Sequence, residues 1–273
     1  MAEFYNRTRR SHSIPFALLR RGHLVGLPLY YLLRGSDLAQ EGFKNSGSYA
    51  FADHIYRNVP SGRNTLGRWV DARLLAMRAV RSFRNRFLAS RDELAAFLCQ
   101  HSGMKLSILS VPCGIPRDLA DGAVIARQRG ADLHNVVFHG LDLDPEALRK
   151  AAQFAEENGL ANFHIHEGDA LVQSSYPSAT DFISSTGLAE FLDDQRLEIL
   201  YRAAFETIRP GGIFVSSGMQ RRFVSEYLLR IADLRVHYRS AERLEELAHA
   251  TGFQEVTVRY DELEIQSILV AKR

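Results

Sequence analysis

From Lys105 onward, short runs of apolar residues alternate with longer segments in which apolar positions recur every three or four residues. The short runs predict strands and the periodic segments predict helices between them. Strands that alternate with helices indicate stacked βα units and a mostly parallel sheet. The last two runs flank a tight turn near Asp261 and predict a hairpin, so that one strand runs antiparallel to the sheet. The seven predicted strands are Leu106–Val111, Val136–Leu141, Asn162–His166, Asp181–Ser185, Ile213–Ser217, Glu255–Tyr260 and Glu264–Ala271.

The helices between these strands carry start and stop signals. Asp144-Pro145-Glu146 combines an N-cap acid, a proline at the first helical position and an acid in the first turn. Asn158-Gly159 closes the same helix. The predicted helices run from about Arg117 to Arg129, Asp144 to Glu157, Asp193 or Asp194 to Ile208, Arg221 to Asp233 and Ala241 to Thr251.

The first hundred residues have a different hydrophobic pattern, because apolar positions recur there mostly at helical spacing. One long amphipathic helix is predicted from Leu66 to Phe87. The capping-box pair Ser90 and Glu93 predicts that another helix opens at that point. Residues 1–103 are therefore expected to form a helical lid and substrate region, and residues 104–273 the α/β domain.

Two segments of the helical region allow a more specific interpretation. The run from Leu24 to Arg34 predicts short helices broken at Gly26 and Pro28. Core packing with arginines extending to solvent is expected there, and contact with a lipid interface is the alternative. Tyr49–Arg57 predicts a short helix with a polar and aromatic face, which suits either the wall of a substrate pocket or a partly buried surface. That face carries Tyr49, Asp53, Tyr56 and Arg57.

Charge is distributed unevenly between the two regions. The chain has 34 Lys and Arg against 32 Asp and Glu, but residues 1–100 hold 16 against 7, which leaves 18 against 25 for the remainder. A basic half suits nucleic acid, an anionic membrane surface or an acidic carrier protein. Because the arginines are spread along helices and form no single run, docking on the acidic half of the same chain is favoured. No nucleic-acid partner is expected.

Cysteine usage and hydropathy narrow the class of protein further. Cys99 and Cys113 are the two cysteines, and no Cys-x-x-Cys occurs, so neither a disulfide framework nor a metal site is expected. No signal-peptide core follows the basic N-terminus. The longest apolar run, at about 10 residues, is too short to span a bilayer. We expect a cytoplasmic protein without stable membrane insertion, which can form a homo-oligomer.

Four loops at the carboxyl ends of successive predicted strands carry residues capable of binding a ligand, and ligands bind at that edge of open α/β sheets. Each loop alone is compatible with an ordinary turn, but together they fit a nucleoside. An acid after the second strand suits a ribose diol, and an acid after the third suits an exocyclic amine. The four positions are Gly114, Asp142, Gly168-Asp169-Ala170 and Ser185-Thr186-Gly187.

This arrangement resembles the class I S-adenosylmethionine-dependent methyltransferases over about residues 105–273. The most specific segments are FHGLDLDPEAL (138–148), HEGDA (166–170) and RPGGIFV (209–215). The resemblance implies a Rossmann-like fold with S-adenosylmethionine as the cofactor, Asp142 on the ribose and Asp169 near adenine. The implied cofactor-binding residues are Val111, Pro112, Cys113, Gly114, Arg117, Asp142, Leu143, Asp169, Ala170, Ser185 and Thr186.

The first loop departs from the family pattern, which has an acid and two or three glycines there. Only Gly114 remains, between Pro112 and Pro116. Arg117 is a candidate for the methionine carboxylate, with a surface charge as the equal alternative. A dinucleotide-binding dehydrogenase is disfavoured, because Gly-x-Gly-x-x-Gly is absent.

Three functions remain open from the sequence. Methyl transfer to a small natural-product or lipid-like acceptor is favoured. A resemblance to azetidine-2-carboxylate synthases, which cyclise the cofactor and release methylthioadenosine, is the alternative. A non-catalytic interaction protein is the third. Candidate catalytic residues are Tyr49, His54, Tyr56 and Glu190, with Phe51 as a further aromatic and His237 as a further base, although a structural role is favoured for each base.

Overall fold

The computed structural model describes residues 26–45, 47–221 and 236–273. They divide into two compact units, and the boundary lies between Arg81 and Ser82. The described part of the first unit, residues 26–81, is helical. Its helices are α1 (Gly26–Leu33), α2 (Asp37–Asn45), α3 (Tyr49–Arg57), α4 (Thr65–Leu75) and the start of α5 (Arg78–Gln100).

The second unit contains the sheet. Its strands are β1 (Leu106–Ser110), β2 (Val136–Asp142), β3 (Phe163–Glu167), β4 (Thr180–Ser185), β5 (Ile208–Met219), β6 (Glu255–Tyr260) and β7 (Gln266–Lys272). Its helices, besides most of α5, are α6 (Arg117–Gln128), α7 (Pro145–Glu157), α8 (Asp194–Thr207) and α9 (Ala241–Ala250).

The seven strands lie in the order β3-β2-β1-β4-β5-β7-β6. The pairs from β3 to β5 are parallel, and β7 is antiparallel to both β5 and β6. The predicted α/β class, the mostly parallel sheet and the C-terminal hairpin are confirmed. The strand order reverses between β1 and β4, and at such a switch point the loops at the carboxyl ends diverge and leave a crevice.

The core of this unit is formed where α5 and α6 pack on the sheet. Leu94, Leu98, Ile108, Leu119 and Phe138 are almost completely buried there and belong to one apolar cluster. Burial of such side chains contributes about 1.5–3 kcal/mol each. The cluster fixes β1 beneath α6, so the loop between them is carried on a rigid base.

Two helix predictions require correction. The helix predicted from Leu66 to Phe87 is interrupted near Ala76, between α4 and α5. Ala76 is the C-cap of α4, and its N–H donates to both Ala72 O and Leu74 O. No helix opens at Ser90, because α5 continues through it to Gln100. The Ser90 hydroxyl caps nothing; it lies 2.8 Å from Ser184 Oγ in β4.

The prediction for the run from Leu24 to Arg34 is also corrected. Pro28 does not break a helix, since it lies in the first turn of α1, which begins at Gly26; proline is tolerated in a first turn, where its missing N–H is not needed. The prediction of core packing is wrong for much of this helix. Tyr30 is buried, but Leu29 is 53% and Tyr31 60% exposed.

Strand boundaries differ from the predicted ones at β5, which begins at Ile208 instead of Ile213. The Arg209-Pro210-Gly211-Gly212 turn lies within this strand, because Ile208 pairs with Thr180 before the register shifts. The predicted helix Arg221–Asp233 lies outside the described residues, apart from Arg221 itself. The part of the Leu24–Arg34 run that precedes Gly26 also lies outside them.

Candidate functional site

The loop after β1 lies at the switch point of the sheet. The Val111 N–H donates to Ser184 O (2.8 Å), and the Cys113 N–H donates to Leu141 O (2.9 Å). The loop is therefore bonded to the carboxyl ends of both neighbouring strands, β4 and β2. Gly114 follows with φ +47°, a left-handed conformation that glycine adopts without strain.

Asp142 ends β2 and is the most closely held acid of the predicted site. Its Oδ2 accepts from the Gly114 N–H (3.0 Å) and its Oδ1 from the Asp144 N–H (3.0 Å). The residue is buried. These two bonds join the β1 loop to the first turn of α7, so the carboxylate is fixed where the loops of β1 and β2 meet. The predicted N-cap role of Asp144 is confirmed by its bond to Glu146 N (2.9 Å).

The loop after β3 curls back on itself. A Cβ on Gly168 would lie 2.5 Å from Ser175, so only glycine fits at this approach. Asp169 Oδ1 accepts from the Leu171 N–H (2.9 Å), which closes a turn. Tyr176 donates to Ala170 O (2.7 Å); burial, and then the charge of Asp169, raise the pKa of its hydroxyl. The turn holds the Asp169 backbone beside the end of β2, since Gly168 N bonds to Asp142 O (3.0 Å).

Two other predicted cofactor residues have side chains that serve packing. Cys113 is buried against Leu148 and Ala151 of α7, and burial, followed by the charges of Asp142 and Asp118, raises the pKa of its thiol. The Arg117 guanidinium lies 4.7 Å from the centre of the Phe154 ring. Because the Cys113 side chain packs against α7, the backbone of Cys113 is the part that is available to contact a cofactor.

Sequence reasoning missed Asp118 at the start of α6. Its Oδ2 accepts from Ser184 Oγ (2.6 Å) and from Ser90 Oγ (3.3 Å), while its Oδ1 accepts from Leu119 N (3.0 Å). Burial raises the pKa of this carboxyl, against the opposing effect of its hydrogen bonds. The sequence does show an acidic residue in the first turn of a predicted helix, a position where a negative charge is stabilised. Its two serine partners lie on β4 and α5, and no local pattern points to them.

The loop after β4 contains a buried ion pair. Arg86 Nη1 of α5 lies 3.0 Å from Glu190 Oε1, and both side chains are almost fully enclosed. Ser217 Oγ donates to the same oxygen (3.3 Å). In the amide orientation that satisfies its neighbours, Gln266 also donates to it (3.2 Å). Gly187, with φ +96°, makes room for the pair, because a Cβ there would lie 2.6 Å from Arg86 Nη2.

The buried polar atoms at this edge include two that find no hydrogen-bond partner among the described residues. They are Ser185 Oγ at the end of β4 and Glu190 Oε2 in the following loop. Buried polar atoms are nearly always paired, so such exceptions call for an explanation. A polar ligand at the carboxyl end of β4 would supply one.

The remaining catalytic candidates belong to the helical unit. His54 Nε2 lies 3.0 Å from Asp71 Oδ2, with both side chains buried. Asp71 also accepts from Ser36 Oγ (2.5 Å) and the Leu38 N–H (2.9 Å). Burial opposes ionisation of Asp71, but these hydrogen bonds, with His54 foremost, outweigh it and lower its pKa. The network joins α3 and α4 to the start of α2.

The predicted polar and aromatic face of α3 is half-buried. Tyr49, Asp53 and Tyr56 are all partly covered, and Arg57 Nε lies 3.2 Å from Asp53 Oδ2. The helix itself is confirmed, with Ser48 as its N-cap. The predicted catalytic roles of Tyr49, His54, Tyr56 and Glu190 stay predictions.

A separate hollow of 550 Å³ lies beyond the end of β5. Arg239 on its wall is fully engaged, with Asp194 Oδ1 at 2.7 Å, Ala189 O at 2.8 Å and Leu192 O at 2.6 Å. The backbone N–H of His237, another lining residue, donates to Glu190 O (2.7 Å). Within the described residues, no group of three or more His, Cys, Asp or Glu is arranged to hold a metal ion.

Comparisons with known proteins agree with this architecture. The model of a family described as "Putative methyltransferase" matches residues 31–273. A search of curated proteins finds no match. In the part of the chain that the structure describes, no helix is long and apolar enough to cross a membrane.

Solved structures share the fold at low identity. A possible exported protein from Bordetella parapertussis is 22% identical, with a TM-score of 0.76 over 100% of this chain and 96% of that one. The S-adenosylmethionine-dependent methyltransferase SibL is 17% identical (TM-score 0.57; 94% and 76% covered). Magnesium protoporphyrin IX methyltransferase from Synechocystis PCC 6803, with bound SAH, is 15% identical (TM-score 0.56; 84% and 95% covered). The predicted class I methyltransferase fold is confirmed.

Proposed function

This chain belongs to the methyltransferase family whose model it matches, and from that premise we propose that it transfers a methyl group from S-adenosylmethionine to a small natural-product or lipid-like acceptor. The observation that carries the proposal is the buried Asp142 carboxylate, oriented by the N–H groups of Gly114 and Asp144. It lies next to the switch point of the sheet, at the edge where ligands of open α/β folds bind.

S-adenosylmethionine is the cofactor, and the side chains at this edge have the chemistry to hold it. Asp142 is suited to the ribose diol and Asp169 to the exocyclic amine of adenine, since a carboxylate accepts hydrogen bonds. Leu143 and Ala170 are the apolar neighbours of these acids. Ser185 Oγ, which lacks a partner within the structure, is a polar group for the methionine end, together with Thr186 and the backbone of Val111, Pro112, Cys113 and Gly114.

When bound, the cofactor supplies a methyl group activated by a positively charged sulfur. The protein's part is then to orient the acceptor and exclude water. For a hydroxyl or ammonium acceptor, a base is also needed. Glu190 is the candidate for that role in the sheet unit, because its Oε2 lacks a hydrogen-bond partner among the described residues. Tyr49 and Tyr56 are candidates for aromatic contacts with a cation.

The alternative cyclisation, which yields azetidine-2-carboxylate and methylthioadenosine, rests on one observation. The loop from Val111 to Pro116 contains no acid, and Asp118 beyond it is bonded to Ser90 and Ser184. An amine without a carboxylate beside it is easier to deprotonate. A cytoplasmic location and assembly into a homo-oligomer are further parts of the proposal.

Product analysis distinguishes these functions. The purified protein is incubated with S-adenosylmethionine alone and with candidate acceptors, and the products are identified by mass spectrometry. Methyl transfer predicts S-adenosylhomocysteine in stoichiometric amount with a methylated acceptor, and little product without one. Methylthioadenosine formed without an acceptor would instead establish cyclisation. If calorimetry detects no binding of S-adenosylmethionine at all, a non-catalytic protein is the remaining interpretation.

A further inference from the structure

The helical unit exposes large apolar side chains on two of its helices and on a loop. Exposed hydrophobic residues are normal when scattered singly, but a group of them marks an interaction site. In α4, Leu66 is 55% and Trp69 53% exposed, whereas Val70 is buried. The large apolar residues exposed within residues 26–81 are Leu29, Tyr31, Leu32, Val59, Leu66 and Trp69.

The contact between α1 and α4 brings the ends of these two helices together. A Cβ on Gly67 would lie 2.1 Å from Gly35 O, so the chain just after α1 packs directly against the first turn of α4. Leu32 precedes Gly35 by one turn, and Leu66 is adjacent to Gly67. The exposed ends of the two helices therefore adjoin. We call this set, Leu29, Leu32, Leu66 and Trp69 with Arg73 on the same face of α4, the α1–α4 surface.

The charge exposed around this surface has one sign. All Lys and Arg of residues 26–81 are exposed, while every acid of that range is half-buried or buried. Glu41 and Asp53 are paired with Lys44 and Arg57, and Asp71 is enclosed. The exposed cations are Arg34, Lys44, Arg57, Arg63, Arg68, Arg73, Arg78 and Arg81.

Arginine and tryptophan also combine within the surface itself. The Arg73 guanidinium lies 5.1 Å from the centre of the Trp69 ring. Leu66, Trp69 and Arg73 are spaced at i, i+3 and i+7, so they share one face of α4. An apolar stripe with exposed leucine and tryptophan, flanked by arginine, is the composition of helices that lie in a membrane interface.

We propose that the α1–α4 surface docks on the surface of an anionic lipid bilayer. Such a bilayer offers both complements at once: negative headgroups for the cations, and an acyl boundary in which leucine and tryptophan side chains are buried. An acidic protein would match the charge, but it would need a separate apolar area to cover these side chains. The contact is peripheral, and it holds whichever reaction the sheet unit catalyses.

Trp69 provides the direct test, because it is the only tryptophan of the chain. The full-length protein is mixed with vesicles of phosphatidylcholine, with or without phosphatidylglycerol, and its emission is recorded. We expect a blue shift and quenching by brominated acyl chains only with the anionic vesicles. Added salt should weaken the binding, since it screens exposed charges.

Variants locate the contact in a co-sedimentation assay. Arg73→Glu removes one positive charge and adds a negative one, and we expect affinity for anionic vesicles to fall by about tenfold or more. Leu66→Ser should reduce it several-fold. The matched controls, Arg196→Glu and Ile199→Ser, change exposed residues of α8 in the sheet unit and should leave affinity unchanged. Circular dichroism verifies that each variant is folded.

Three results would overturn the proposal. They are unchanged Trp69 emission with anionic vesicles, equal binding to neutral and anionic vesicles, and binding that survives both Arg73→Glu and Leu66→Ser. If polyglutamate binds with the same dependence on Arg73 but vesicles do not, the surface serves an acidic protein partner and the lipid proposal is wrong.

Discussion

Glu190 shows how a single residue can be both a catalytic candidate and a structural one. Its carboxylate is paired with the buried Arg86 guanidinium at 3.0 Å, so its removal leaves a buried charge without that counterion. We therefore expect Glu190→Ala to lower the free energy of unfolding by about 3–5 kcal/mol. Urea unfolding followed by circular dichroism measures this change.

The control for this variant is Glu198→Ala, which breaks the exposed pair with Arg202 and should cost less than about 1 kcal/mol. An unchanged stability for Glu190→Ala would contradict the structural role. Glu190→Gln separates chemistry from folding: if it stays folded, binds cofactor and loses only turnover, then the carboxylate acts on the reaction.

At this scale the sequence predicted the residues whose roles are local. Asp142 follows a clear strand pattern, and Asp144-Pro145 is a capping signal, so both positions could be assigned from neighbours along the chain. Asp118 and Arg86 could not be assigned, because their partners Ser184 and Glu190 are 66 and 104 residues away in sequence. Contacts of that kind depend on the fold and leave no local pattern.

Among the elements, the pair β2 and β3 carries a cluster of three histidines. His139 Nδ1 lies 2.9 Å from His166 Nε2, and the ring of His164 is 5.7 Å from that of His139. Burial, followed by the charges of His166 and His164, lowers the pKa of His139 to about 4. The same causes, burial and then His164, lower the pKa of His166.

This cluster predicts a loss of stability in acid. An unfolded histidine has a pKa near 6.5, so between about pH 6.5 and 4 the unfolded chain binds more protons than the folded one, and stability falls as pH decreases through that window. His139→Gln should reduce the loss between pH 7 and pH 5 by about 1 kcal/mol, a value discounted for the exposed part of the ring.

Urea unfolding at the two pH values tests this expectation. The comparison variant is His134→Gln, a change outside the cluster that leaves its three histidines in place. If His139→Gln loses stability in acid as steeply as the wild type, the cluster is not responsible for the effect.

Helix boundaries were the weaker part of the element predictions, for a physical reason. The continuous helical pattern from Leu66 to Phe87 conceals the interruption near Ala76, because apolar residues keep the same spacing across it. The capping-box pattern at Ser90 was misleading, because tertiary contacts with Ser184 and Asp118 use the hydroxyl. Propensity and capping signals are weak priors that packing overrides.

For the molecule as a whole, alternation of strands and helices was enough to predict the fold class, but not the strand order. Hydropathy identifies each strand, whereas the neighbours of β1 are chosen by long-range packing. That order places the β1 loop between Ser184 and Leu141. The site is therefore a property of the folded sheet, although two of its acids were visible in the sequence.

Binding of S-adenosylhomocysteine to the whole protein, measured by calorimetry, tests the central claim most directly. We expect Asp142→Asn to weaken it by about 10- to 100-fold, because asparagine keeps one acceptor oxygen, and the one charged hydrogen bond that is lost is worth about 1.5–3 kcal/mol. Asp144→Asn, which retains a good N-cap beside it, should change affinity little. If Asp142→Asn binds as tightly as the wild type, the nucleoside is not held at the end of β2 and the account is wrong.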